Sequence, residues 1–84
     1  MRMMVMDEKR AAPRHRVLKH GTIAFGGGGV DCTVRNISAT GARVDVESPV
    51  GLPDKFLLVI ETDQFLRRGH TVWSSDHKLG IAFD

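Results

Sequence analysis

Hydrophobic and polar residues alternate without a break over residues 42–47. Ala42, Val44 and Val46 fall on one side, and Arg43, Asp45 and Glu47 on the other. A period of two marks a strand with one face buried. The same period runs through 30–37 (VDCTVRNI), with Val30, Cys32, Val34 and Asn36 in one row and Asp31, Thr33, Arg35 and Ile37 in the other. Residues 55–61 (KFLLVIE) form a continuous apolar run with β-branched members, which suits a strand covered on both faces. Segments 17–25 (VLKHGTIAF), 65–75 (FLRRGHTVWSS) and 78–83 (KLGIAF) complete a set of six. Within the fifth, Gly69 marks a bulge or a close backbone approach.

Turn residues separate these runs. Four glycines stand at 26–29, Ser38-Ala39-Thr40-Gly41 follows the second run, and 48–54 (SPVGLPD) holds two prolines and a glycine. Thr62-Asp63-Gln64 and Ser75-Asp76-His77 close the last two connections. No helical period exceeds one turn. Six short strands predict an all-β fold, an antiparallel six-stranded barrel or a tightly curled sheet. Closure also removes the edge strands that an open sheet must protect. A chain of 84 residues buries only about 60–65% of its unfolded surface, so it is one domain at most. Residues 1–16 show no period and contain Pro13, which predicts an N-terminal arm with room for one helical turn. The expected division is a flexible arm over 1–16 and a barrel over 17–84.

Charge sharpens this division. Residues 1–20 carry six cations against two acids, a net of +4, whereas 21–84 carry six against eight, a net of −2. The basic character therefore belongs to the arm, and it suits a compact anionic ligand better than an extended nucleic acid. Only five aromatic residues exist (Phe25, Phe56, Phe65, Trp73 and Phe83), too few exposed stacking platforms for DNA or RNA. No apolar run reaches the roughly 18–20 residues of a membrane span. The start MRMMVM is too short for a secretory apolar region, so a cytoplasmic location is expected.

Catalysis and metal binding find little support. The single Cys32 excludes an internal disulfide and a multi-cysteine zinc site. It shares its row with Val30 and Val34, which favours a buried, inert thiol. Among the histidines (His15, His20, His70 and His77) only His15 and His20 lie near a metal-ligand spacing. The four glycines lack the Gly-Lys-Ser/Thr of a phosphate loop. Neither an enzyme nor a metal or cofactor protein is expected. Trp73, inside a strand run, reads first as a core residue and alternatively as a stacking platform.

Two features remain. Arg10 and Arg14 stand four apart in an arm that Pro13 stiffens, spanning roughly 13 Å when extended. Each offers a planar fork for phosphate oxygens or a guanine edge. Lys9 and Arg16 add positive potential beside them. The second feature is Asn36-Ile37-Ser38-Ala39-Thr40-Gly41 between two strands. These residues suit a plain turn, with Gly41 at positive φ. Asn36 in an apolar row, with Ser38 in the same register, also sets two hydrogen-bonding groups at a barrel rim.

Together and in this order, Arg10-x-x-x-Arg14 and Asn36-x-Ser38-x-x-Gly41 resemble the paired motifs of the PilZ domain family, RxxxR and (D/N)xSxxG. The closing Val72-Trp73 and Leu79-Gly80-Ile81-Ala82-Phe83 resemble it too, so the likeness covers roughly residues 8–84. The resemblance implies a six-stranded antiparallel barrel that binds the bacterial second messenger cyclic di-GMP. By position, Arg10 and Arg14 contact guanine edges and phosphates, Asn36 and Ser38 bind guanine and adjacent phosphate, and Gly41 allows close backbone approach. Lys9, Arg16 and Trp73 are accessory candidates. The implied role is a stand-alone receptor or adaptor, monomeric or dimerised by ligand, that signals to a protein effector. The alternative is a degenerate family member that binds only protein. Many members carry a further helix after the last strand. No long C-terminal helix is expected here, and its usual seat is then exposed, covered by the Met-rich start, or covered by another copy.

Overall fold

The computed structural model describes residues 15–84. The expected arm, with Lys9, Arg10 and Arg14, lies outside the described residues except for His15 and Arg16. Six strands follow in chain order: β1 (His15–Phe25), β2 (Gly28–Ile37), β3 (Gly41–Val46), β4 (Lys55–Ile60), β5 (Phe65–Ser75) and β6 (Lys78–Phe83). They close into an antiparallel barrel in the order β1-β2-β3-β6-β5-β4, with β4 pairing back to β1. β1 starts two residues before the apolar run at Val17. Gly28 and Gly29 belong to β2, so only Gly26 and Gly27 form the turn of the expected four-glycine break. Among the described residues, no helix is long and apolar enough to cross a membrane.

The barrel interior is filled from alternate positions of β1, β2, β3, β4 and β6, while β5 contributes the partly buried Phe65 and the closely packed Gly69. Ile23, Cys32, Val34, Val44, Val46, Phe56, Leu58, Ile60, Leu79 and Ile81 are all buried. The 42–46 alternation holds as expected, with Ala42, Val44 and Val46 inward and Arg43 and Asp45 outward. One end of the barrel is stopped by Phe65 against Phe83, their ring centroids 5.6 Å apart. Arg67 lies over the Phe83 ring at 4.8 Å. Gly69 is a site of close approach, as expected. A Cβ there would stand 2.8 Å from Ile81 Cγ2 and 2.9 Å from the Ala82 carbonyl oxygen.

Three bulges interrupt the ladders: between Arg16 and Lys19 on β1, between Val34 and Asn36 on β2, and between Thr71 and Trp73 on β5. Two of them overturn sequence expectations. On β2, Val34 faces Val44, but Asn36 faces Arg43, the very next position back along β3. The extra residue, Arg35, shifts the alternation by one. Asn36 therefore leaves the apolar row of Val30, Cys32 and Val34 and shares the outer face with Arg43. Ile37 turns inward and packs on the core instead. On β5, Val72 is the extra residue, so Trp73 pairs with Gly80 on the outside and is 45% exposed. It is not a core tryptophan.

Candidate functional site

The bulges converge on one patch. Register partners run Arg16–Asn36–Arg43–Gly80–Trp73 in a single row across β1, β2, β3, β6 and β5. Because Arg43 lies between the inward Ala42 and Val44, the row lies on the outer face. Bulges commonly re-aim side chains beside functional sites, and here all three flank the same row. At its polar end a cavity of about 330 Å³ is lined by Arg16, Val17, Arg35, Asn36 and Arg43. At its other end the indole of Trp73 covers Gly80. A Cβ on Gly80 would overlap the indole Nε1 and Cε2. Gly80 thus leaves room for the indole close against the sheet while the side chain stays partly exposed.

Ser38 and Gly41 have internal duties. Ser38 Oγ accepts from the Thr40 and Gly41 N–H groups, both at 3.2 Å. Its hydroxyl also lies 3.3 Å from Thr40 Oγ1 and 3.3 Å from the Gly41 carbonyl oxygen. The Ser38 N–H donates to that same carbonyl at 2.9 Å. Ser38 therefore pins the β2–β3 connection as a serine-closed turn. Gly41 does not occupy positive φ, contrary to the turn expectation; among glycines only Gly51 does. The reason for glycine is steric, since a Cβ at position 41 would overlap the Ile81 carbonyl oxygen of β6. The close approach is made to the neighbouring strand.

Arg35 Nη1 donates to Asp45 Oδ2 at 3.0 Å. Arg43 Nε and Asp45 Oδ1 are buried atoms with no partner among the described residues. Arg43 was missed as a site residue in the sequence, although its signal was present as an outward arginine two places after Gly41. Arg35, placed by simple alternation, gave no sign of lining the same cavity as Asn36.

The other candidates stand apart from this patch. Cys32 is buried, and its thiol is pushed up from 9.0 to about 11 by burial and by the negative charge of Asp31. That leaves almost no thiolate near neutrality. His70 Nδ1 lies 2.9 Å from Asp84 Oδ1, and His77 Nδ1 lies 2.6 Å from the Glu47 carbonyl oxygen. Among the described residues no group of three or more His, Cys, Asp or Glu side chains could hold a metal ion. A larger groove of about 910 Å³ runs beside Leu57, Leu66 and Arg68 and holds none of the motif residues.

No curated protein matches this sequence. The family model for the PilZ domain matches residues 8–84, a span that takes in the whole barrel, the serine-closed turn and the row across the outer face. With nearly the full chain matched, the protein belongs to the PilZ domain family.

Proposed function

We propose that the protein is a cytoplasmic, non-enzymatic receptor for cyclic di-GMP that passes ligand occupancy to a protein effector. The observation that carries this reading is the pairing of β1 with β2. Arg14 is bonded to His15, and His15 and Arg16 pair with Ile37 and Asn36 of the second motif. Consecutive Cα atoms lie about 3.8 Å apart, so the last residue of RxxxR is one peptide bond from the strand that pairs with NxSxxG. Arg14, 22 positions before Asn36 in sequence, is thus joined directly to the strand that pairs with the second motif.

The chemistry of the patch suits the ligand. Cyclic di-GMP carries two phosphate charges and two guanines. Arg10 and Arg14, with Arg16 and Arg43, supply planar forks for phosphates and for guanine O6 and N7. Asn36 offers an amide that both donates and accepts. Trp73 offers a partly exposed aromatic ring at the end of the row. Lys9 adds charge to the arm. Ser38 and Gly41 act mainly by holding the β2–β3 connection that presents Asn36.

A second reading has its own support. Ser38 and Gly41 are fully accounted for by contacts inside the fold, so both motif positions would be kept in a barrel that binds only protein. Calorimetric titration with cyclic di-GMP separates the two, with GTP as control. The receptor reading requires saturable binding by the wild type, none by the R10A/R14A variant, and none of GTP. A folded wild-type protein that ignores cyclic di-GMP would leave the interaction module in its place.

A further inference from the structure

We propose that Asp45 sets the affinity of this site by holding Arg35 as its counter-ion, so that a cation lining the cavity is withheld from the ligand. The inference rests on the receptor reading above. Arg35 is the extra residue of the β2 bulge and lines the 330 Å³ cavity with Arg16, Asn36 and Arg43. Its guanidinium is turned to Asp45, 3.0 Å away, with both side chains partly exposed. Asp45 stands two places after Arg43 on the outer face of β3. Its second oxygen, Oδ1, is buried and meets no donor among the described residues. Arg43 Nε is likewise buried and unpartnered, so the carboxylate takes Arg35 and leaves Arg43 uncommitted.

Asp45 thus opposes an anionic ligand in two ways. It places a negative charge beside the cavity, and it occupies a fork that would otherwise be free. Asparagine keeps the shape, removes the charge and loosens the hold on Arg35. Both effects favour a dianion. A purely structural Asp45 would give the opposite sign, because losing the Arg35 pair would loosen β2 and β3 and weaken binding.

The test is calorimetric titration with cyclic di-GMP at several salt concentrations. The proteins are wild type, R35A, D45N, D45S, R35A/D45N and R10A/R14A. D45N is expected to bind about three- to tenfold tighter, the range of a partly exposed charge interaction. Its affinity should fall more steeply with salt, because one more cation takes part. D45S should show the same gain, which guards against a folding defect peculiar to one variant. R35A alone should bind more weakly than wild type, because it leaves the Asp45 charge beside the cavity uncompensated, and R35A/D45N should lose most of the gain. Equal or weaker binding by both D45N and D45S, with far-UV circular dichroism and Tm unchanged, overturns the inference. So does a gain that survives intact in R35A/D45N. Absence of binding by the wild type defeats the receptor reading itself, and this inference with it. Binding by the wild type that R10A/R14A abolishes, without a gain in D45N, defeats the inference alone.

Discussion

Replacing Gly41 with alanine isolates what the second motif does for the fold. The φ angle of Gly41 lies outside the left-handed region, so alanine can adopt the backbone conformation without strain. At such a position Gly→Ala ordinarily stabilises by about 0.4–1 kcal/mol, through the unfolded state. Here the new Cβ would overlap the Ile81 carbonyl oxygen and stand 3.4 Å from the Ile81 carbonyl carbon and 3.5 Å from Ala82 Cα. All three atoms are backbone, so no side chain can swing away. Relief requires β3 and β6 to separate by on the order of 1 Å, where Gly41 pairs with Ala82 and Ala42 with Ile81. The Phe83 N–H donates to the Thr40 carbonyl at 2.8 Å in the same place. Overpacking of this kind costs about 1–3 kcal/mol, and weakening one ladder bond adds about 1. The total is roughly 2–4 kcal/mol, which lowers Tm by roughly 10–25 °C in a domain of this size. Thermal unfolding followed by circular dichroism measures it directly. A Tm equal to or above that of the wild type would refute the steric account and return Gly41 to a role toward ligand.

Two further predictions follow from the buried side of the same surface. Gly80→Ala should lift the Trp73 indole off the sheet, giving a red-shifted emission and easier iodide quenching while costing only about 1 kcal/mol, since the ring is already half exposed. An unchanged spectrum would mean that the indole does not rest on Gly80. Cys32 should destabilise the fold in alkali. Its folded pKa is raised from 9.0 to about 11 by burial and by Asp31, so the protonated thiol contributes stability that is complete below pH 9 and is lost as pH rises toward 11. The loss should approach about 2 kcal/mol in urea titrations and be absent from Cys32→Ala. A wild-type pH profile parallel to that of the variant would refute it.

The barrel was legible because period-two patterns and turn residues speak to local structure, and closure follows from strand number and edge protection. What the sequence did not disclose is where the period slips. Asn36 was placed by extending the alternation of Val30, Cys32 and Val34, and Trp73 was read as a core residue from its place inside a strand run. In each case one extra residue, Arg35 or Val72, reverses the facing. A bulge costs one ladder position, and no residue type in VRNI or TVWS announces it. The cavity residues Arg35 and Arg43 were missed for a related reason. Their neighbourhood depends on register between strands, which the alternation within one strand does not contain. The arginines at 10 and 14 were found by spacing alone, and they lie outside the described residues.

The motif of the β2–β3 connection therefore divides into two kinds of residue. Ser38 and Gly41 spend their chemistry inside the fold, the hydroxyl on the turn and the missing Cβ on β6. Asn36 does not. The bulge before it turns it outward, into a row whose other members are two arginines and a glycine overlaid by an indole. In a receptor, substitution at the first kind should lower stability and affinity together, while substitution at the second should lower affinity at constant Tm. A barrel that only binds protein would keep the first kind under the same steric demands. It would have no need of Asn36, Arg43 and Trp73 in one line beside the strand that follows RxxxR. The three bulges all border this row. The ladders are regular elsewhere among the described strands, and the bulges before Asn36 and Trp73 bring those two side chains to the outer face.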